Sequence, residues 1–123
     1  MPVIRLCGIL LFFALVAGCS STPEYQPIEP DTGLLMAAEQ ALAEANTPQA
    51  EKFAPRALDW ARQRLSLARD IVYIAAREGR ALDDAERARV QRLVESAQLD
   101  ARLAIIRSRA LAASAELAEA RQT

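Results

Sequence analysis

One absence constrains this chain more than any other feature: after Pro55 there is no proline, and Gly79 is the only glycine. Alanine, leucine, arginine and glutamate dominate that stretch, and all four favour helix. Asp83 and Glu86 add a D-x-x-E variant of the capping box, which marks the start of a helix. The sequence therefore predicts one long helix from Pro55 to Gly79 and a second from Asp83 almost to the end of the chain.

A shorter helix is predicted before these two, over residues 33–45. Either residue of the Asp31-Thr32 pair can cap its start, and Asn46-Thr47-Pro48 interrupts it. We therefore expect an all-α domain over residues 33–121. It would consist of a long antiparallel helical hairpin with the short N-terminal helix packed on it.

Apolar residues on the first long helix recur at spacings of three and four, which places them on one side. A neighbouring apolar stripe widens this side to about half of the circumference, interrupted mainly by Arg64. Such an arc is wide enough to touch two neighbouring helices. The two stripes are Leu58, Ala61, Leu65, Ala68, Val72, Ala75 and Trp60, Leu67, Ile71, Ile74.

The last helix carries apolar residues on two nearly opposite sides. One stripe, within residues 94–118, can pack on the first long helix. The other contains Leu99, Leu103, Ile106 and Leu117, and the short helix is too small to cover all of it. Two interpretations stay open. The preceding helices share both sides by supercoiling, or the second stripe binds a second copy or another helix.

Charge is divided unevenly along the chain. Residues 19–51 hold six acids and no base, whereas residues 52–123 hold fourteen bases and ten acids. An attraction between these two parts is one interpretation. Four arginines near the start of the last helix could contact cell wall or an anionic glycolipid, although local pairs such as Glu86 with Arg89 explain them more simply. These arginines are Arg80, Arg87, Arg89 and Arg92.

The composition argues against an enzyme. There is no histidine and there are only two cysteines, so the commonest acid–base, nucleophilic and metal-binding side chains are scarce. Carboxylate pairs such as Asp83 with Asp84 are explained by helix caps and exposed faces. Aromatic residues do not interleave with the arginines, which argues against nucleic-acid binding. We expect no cofactor and no small-molecule substrate.

The N-terminus resembles the signal of a bacterial lipoprotein. Arg5 precedes an apolar run over residues 6–16, which is too short to cross a membrane. The Val16-Ala17-Gly18-Cys19 sequence that follows resembles the lipobox. The resemblance implies that residues 1–18 are cleaved as a signal peptide and that Cys19 carries a covalent lipid. An ordinary secretory signal with an incidental cysteine is the alternative.

Ser20 follows the cysteine, whereas lipoproteins retained in the inner membrane of enteric-type bacteria tend to have Asp there. The resemblance therefore implies the periplasmic face of the outer membrane. Residues 19–32 contain three prolines and no apolar periodicity, which predicts a flexible, extended tether. The alternative is that this segment packs on the domain through Tyr25 and Ile28.

A further resemblance lies at the start of the first long helix, in Phe53-Ala54-Pro55-x-x-Leu58-x-x-Ala61-x-x-x-Leu65-x-x-Ala68. This pattern is similar to that of a bacterial lipoprotein family called domain of unknown function 4398. The match covers roughly residues 34–120. That family usually has Tyr in place of Phe53, and its turn is shorter than the one at Gly79. No activity is assigned to that family. The lipobox, the tether and the second apolar stripe of the last helix together lead us to expect a non-catalytic helical module that acts as an adaptor or organises the cell envelope.

Overall fold

The computed structural model describes residues 24–123, and no strand occurs among them. The predicted all-α fold with a long helical hairpin is confirmed. The elements, in chain order, are a 3₁₀ turn at Thr32–Leu35 followed by α1 (Met36–Ala45), α2 (Pro48–Phe53), α3 (Pro55–Arg77) and α4 (Asp84–Ala120).

The hairpin of α3 and α4 is held together mainly by alanine. Twelve of the eighteen buried apolar residues are alanines, so the two helices can approach closely and large side chains are few. The buried stripes face each other in antiparallel register, with Val72 beside Val90 near the turn and Leu58 beside Ala104 near the open end. The apolar periodicity of both helices therefore predicted the core as far as Ala104.

The short helix α1 covers one side of this hairpin. Leu35 and Ala38 join the half of the core nearer the turn, whereas Ala45 joins the half nearer the open end. Two ion pairs fasten the acidic segment to α3: Glu39 with Arg69 at 2.8 Å, and Glu51 with Arg62. Ion pairs between the acidic and basic parts of the chain, as the charge distribution suggests, are present at these two contacts and between Asp31 and Arg87, 3.6 Å apart.

Helix α2 was not predicted. The Thr47 hydroxyl accepts a hydrogen bond from the Ala50 amide at 3.1 Å, and Pro48 occupies the first helical position. Threonine followed by proline favours a helix start as well as a chain break. Gln49 then donates a hydrogen bond to the Ser108 carbonyl at 3.2 Å, which attaches α2 to α4.

The turn between α3 and α4 contains both predicted signals. Gly79 has a φ of 67°, a left-handed conformation that glycine adopts more readily than any other residue. The capping box is confirmed: the Glu86 amide donates to the Asp83 carboxylate at 2.7 Å, and the Asp83 amide donates to the Glu86 carboxylate at 3.1 Å.

The segment before the 3₁₀ turn lies against this turn, which corrects the prediction of a free tether up to residue 32. The Ile28 amide donates to the Ala76 carbonyl at 2.9 Å. The Gln26 carbonyl lies so close to Gly79 that no side chain would fit there. The packed alternative therefore describes residues 26–31, although Tyr25 and Ile28 keep much of their side-chain surface exposed.

Candidate interaction surface

Helix α4 extends well past its partner. It has 37 residues against 23 in α3, a difference of about 20 Å at 1.5 Å per residue. The buried stripe of α4 ends at Ser108, because α3 begins at Pro55 and leaves nothing opposite the following turns. Leu111, Ala115 and Ala118 continue that stripe and are exposed. The stripe within residues 94–118 therefore packs on α3 only as far as Ser108.

The second predicted stripe lies along the edge of α4 that points away from the core. We call the line of Leu99, Ile106 and Leu117 the outer edge of α4. These side chains are 64%, 65% and 61% exposed, so supercoiling of the hairpin does not cover them. Leu103 differs, because it is half-buried against the core. Three of the four predicted interaction residues are therefore available to a partner.

The four predicted anion-contact arginines do not form one cluster, because only Arg80 and Arg87 line the small pocket at the turn. Arg80 donates to Glu86 at 2.7 Å and to Glu78 at 2.8 Å, and Arg87 lies 3.6 Å from Asp31. These two guanidinium groups are thus already paired. Arg89 and Arg92 make no ion pair with any residue in the described range 24–123.

The ion pair at the turn also changes the acidity of its members. The hydrogen bonds from Arg80 and from the Asp83 backbone lower the pKa of Glu86 to about 2. The hydrogen bonds to Glu86 and Glu78 raise the pKa of Arg80. Glu86 therefore pairs with Arg80 rather than with the predicted Arg89.

One polar pair inside the hairpin was missed. Asp100 is buried on α4, with its side chain 11% exposed, and it pairs with Arg64 of α3. The sequence held one signal for it, because Arg64 interrupts the apolar arc of its helix. An arginine on an apolar arc predicts a buried acid on the facing helix, but the register is needed to choose which acid.

A shallow apolar groove of about 530 Å³ lies where α3 begins. It is lined by Phe53, Pro55, Arg56, Arg107 and Leu111, among others. Two arginines therefore border an apolar surface. Within residues 24–123 no three potential metal ligands cluster together.

The predicted lipidation site, Cys19, lies outside the described residues, as does the signal peptide over residues 1–18. Among the helices of residues 24–123, none is long and apolar enough to span a bilayer. No family model, curated protein or solved structure matches this chain. The resemblance to domain of unknown function 4398 therefore stays a prediction.

Proposed function

We propose that this chain is a non-catalytic, lipid-anchored helical adaptor on the periplasmic face of the bacterial outer membrane. The observation that carries the proposal is the exposed outer edge of α4, where Leu99, Ile106 and Leu117 are each more than half exposed. The adaptor would bind a helix of another envelope protein, or a second copy of itself, along this edge.

The outer edge suits a partner helix for two reasons. Burying each leucine or isoleucine would contribute about 1.5–3 kcal/mol. Between Ile106 and Leu117 the same edge carries Ala110 and Ala113, whose small side chains let a second backbone come close. Contiguous exposed apolar surface of this kind marks interaction sites in soluble domains.

The uncovered turns of α4 support the same role. A helix docked beyond Ser108 could pack against Leu111 and Ala115, which continue the stripe that α3 buries elsewhere. This side of α4 is nearly opposite the outer edge, so it would receive a second helix and not the one that covers Leu99 and Ile106. Anchoring is supported by the lipobox-like sequence that ends at Cys19.

Photo-crosslinking in the intact envelope tests the adaptor role. A benzoylphenylalanine at Ile106 should give one discrete adduct, because this position would face the partner. The same residue at Arg109, also exposed but not on the outer edge, is the matched control and should give far less of that adduct. The mass of the adduct distinguishes a second copy from another protein. Equal crosslinking at both positions, or none at Ile106, would overturn the proposal.

The alternative of cell-wall or glycolipid binding through the turn receives less support. Arg80 and Arg87 are held by acids. Only Arg89 and Arg92, two of the four predicted arginines, remain available for such a contact.

A further inference from the structure

A second apolar surface lies on α3. Trp60, Leu67 and Ile74 are spaced by seven residues, which is two helical turns, and so they share one side. Each is a little under half exposed. α1 does not cover this side, because its ion-pair partner Arg69 and the neighbouring Arg62 point elsewhere around α3.

The Arg64–Asp100 pair shows how this surface continues onto α4. Arg64 lies one turn from both Trp60 and Leu67, so its contact with Asp100 joins their side of α3 to the side of α4 that carries Asp100. Leu93 and Leu103, seven residues before and three after Asp100, share that side and are half-buried. We call the combined surface of Trp60, Leu67, Ile74, Leu93 and Leu103 the back face.

Arginines outnumber acids around the back face, where Asp70 lies one turn from both Leu67 and Ile74. Arg56 lies one turn before Trp60, and Arg89, Arg92 and Arg107 lie at helical spacings from Asp100. None of these four arginines makes an ion pair within the described part of the chain. The carboxylate of Asp100 is already neutralised by Arg64. On the opposite side of the domain, Glu39 and Glu51 pair with Arg69 and Arg62 of α3.

The apolar back face and the unpaired arginines beside it together favour one kind of binding partner. Two copies joined back to back would bring the same arginines together, and like charges placed opposite each other disfavour such a contact. An anionic bilayer surface satisfies both features, because apolar side chains enter the acyl boundary while arginines contact lipid phosphates. Trp60, near the open end of this face, suits that boundary, since its ring is apolar and its N–H is polar.

We infer that the back face lies on a bilayer surface that contains anionic phospholipid. This goes beyond the adaptor role and leaves the outer edge of α4 available to a partner. The inference is compatible with the proposed anchor, because the seven residues from Cys19 to Gln26 span at most about 25 Å. The packed segment at residues 26–31 therefore keeps the turn end of the back face within reach of the membrane.

Trp60 makes the inference directly testable, because it is the only tryptophan of the chain. The full chain would be reconstituted into phosphatidylglycerol vesicles and, in parallel, into phosphatidylcholine vesicles. In the anionic vesicles we expect Trp60 emission to shift to shorter wavelength and to be quenched by brominated acyl chains. Both effects should weaken in high salt, which screens charge, and in the Arg92→Gln/Arg107→Gln variant.

A variant with the tryptophan moved to the other side of α3 is the control. Trp60→Phe/Tyr73→Trp keeps one tryptophan at an exposed position, and it should show neither the shift nor the quenching. Unquenched emission of Trp60 in anionic vesicles would overturn the inference. A wavelength shift that depends on protein concentration and not on brominated lipid would assign the back face to a second copy and would also overturn it. Neither result depends on whether Cys19 is lipidated, because the readout is the depth of Trp60 and not membrane attachment.

Discussion

The guanidinium group of Arg64 on α3 pairs with the carboxylate of Asp100 on α4, across a hairpin core made largely of alanine. Asp100 is nearly inaccessible to water, whereas the Arg64 side chain is 40% exposed. The arginine therefore spans from the solvent to a buried acid. A buried carboxylate is costly without such a partner, so this contact constrains which residues of α3 and α4 can lie opposite each other.

Replacing Arg64 alone should destabilise the fold. Arg64→Leu leaves Asp100 buried without a partner, and we expect the free energy of unfolding to fall by about 1–3 kcal/mol. The Arg64→Leu/Asp100→Leu double variant should recover much of this loss, because two apolar side chains can pack where the ions were. Urea unfolding of the two single variants and the double variant measures the coupling. Strictly additive losses would contradict a direct pair.

Gly79 should be intolerant of any side chain. In Gly79→Ala, a β-carbon would be forced into a left-handed backbone conformation and would meet the Gln26 carbonyl. We expect a loss of about 1–2 kcal/mol in unfolding free energy, with faster hydrogen exchange at the Ile28 amide. Gly33→Ala is the matched control, since its β-carbon would make only an ordinary contact, 3.6 Å from the Asp31 carboxylate. Equal losses in the two variants would refute the close approach at the turn.

Stability should decline in acid partly through Glu86. Arg80 lowers the pKa of this carboxyl to about 2 in the folded chain. The ion pair therefore stabilises the fold above the ordinary glutamate pKa of about 4.3, and this contribution is lost as the pH falls towards 2. Glu86→Gln should flatten the dependence of the melting temperature on pH between 4.3 and 2. Glu119→Gln, at the exposed end of α4, should leave the slope unchanged, and a slope that Glu86→Gln does not alter would contradict the assignment.

Close helix approach should make the alanine stripe sensitive to size. Ala101 is completely buried between α3 and α4, so Ala101→Leu should cost about 1–3 kcal/mol through overpacking. Ala120→Leu places the same side chain at the exposed last residue of α4 and should change stability by less than about 0.5 kcal/mol. Thermal unfolding of both variants compares them. A tolerated leucine at position 101 would mean that α3 and α4 are farther apart than the complete burial of Ala101 indicates.

The long helices could be predicted because their signals are local. Proline and glycine are absent where the helices run, and the Asp83–Glu86 box fixes one start. Helix α2 could not be predicted in this way, because Thr47-Pro48 can end one helix and begin the next with the same residues. The sequence pattern alone does not distinguish a break from a short intervening helix.

The interaction surface required the register of the hairpin. Leu99, Ile106 and Leu117 could be predicted from periodicity, but the half-burial of Leu103 depends on how α3 is rotated against α4. The length of α4 that stays uncovered depends on which α4 residue lies opposite Pro55, the first residue of α3. Residues 26–31 pack through one backbone hydrogen bond from Ile28 and through the close approach of Gln26 to Gly79. The spacing of apolar residues predicts neither contact.

Fatty-acid labelling tests whether Cys19 anchors this helical adaptor to the membrane, as we propose. Cells expressing the parent chain would be grown with a clickable palmitate analogue, beside the Cys19→Ala and Cys7→Ala variants. We expect label on the parent and on Cys7→Ala, no label on Cys19→Ala, and labelled protein in the outer-membrane fraction. Label retained on Cys19→Ala would contradict the proposed anchor.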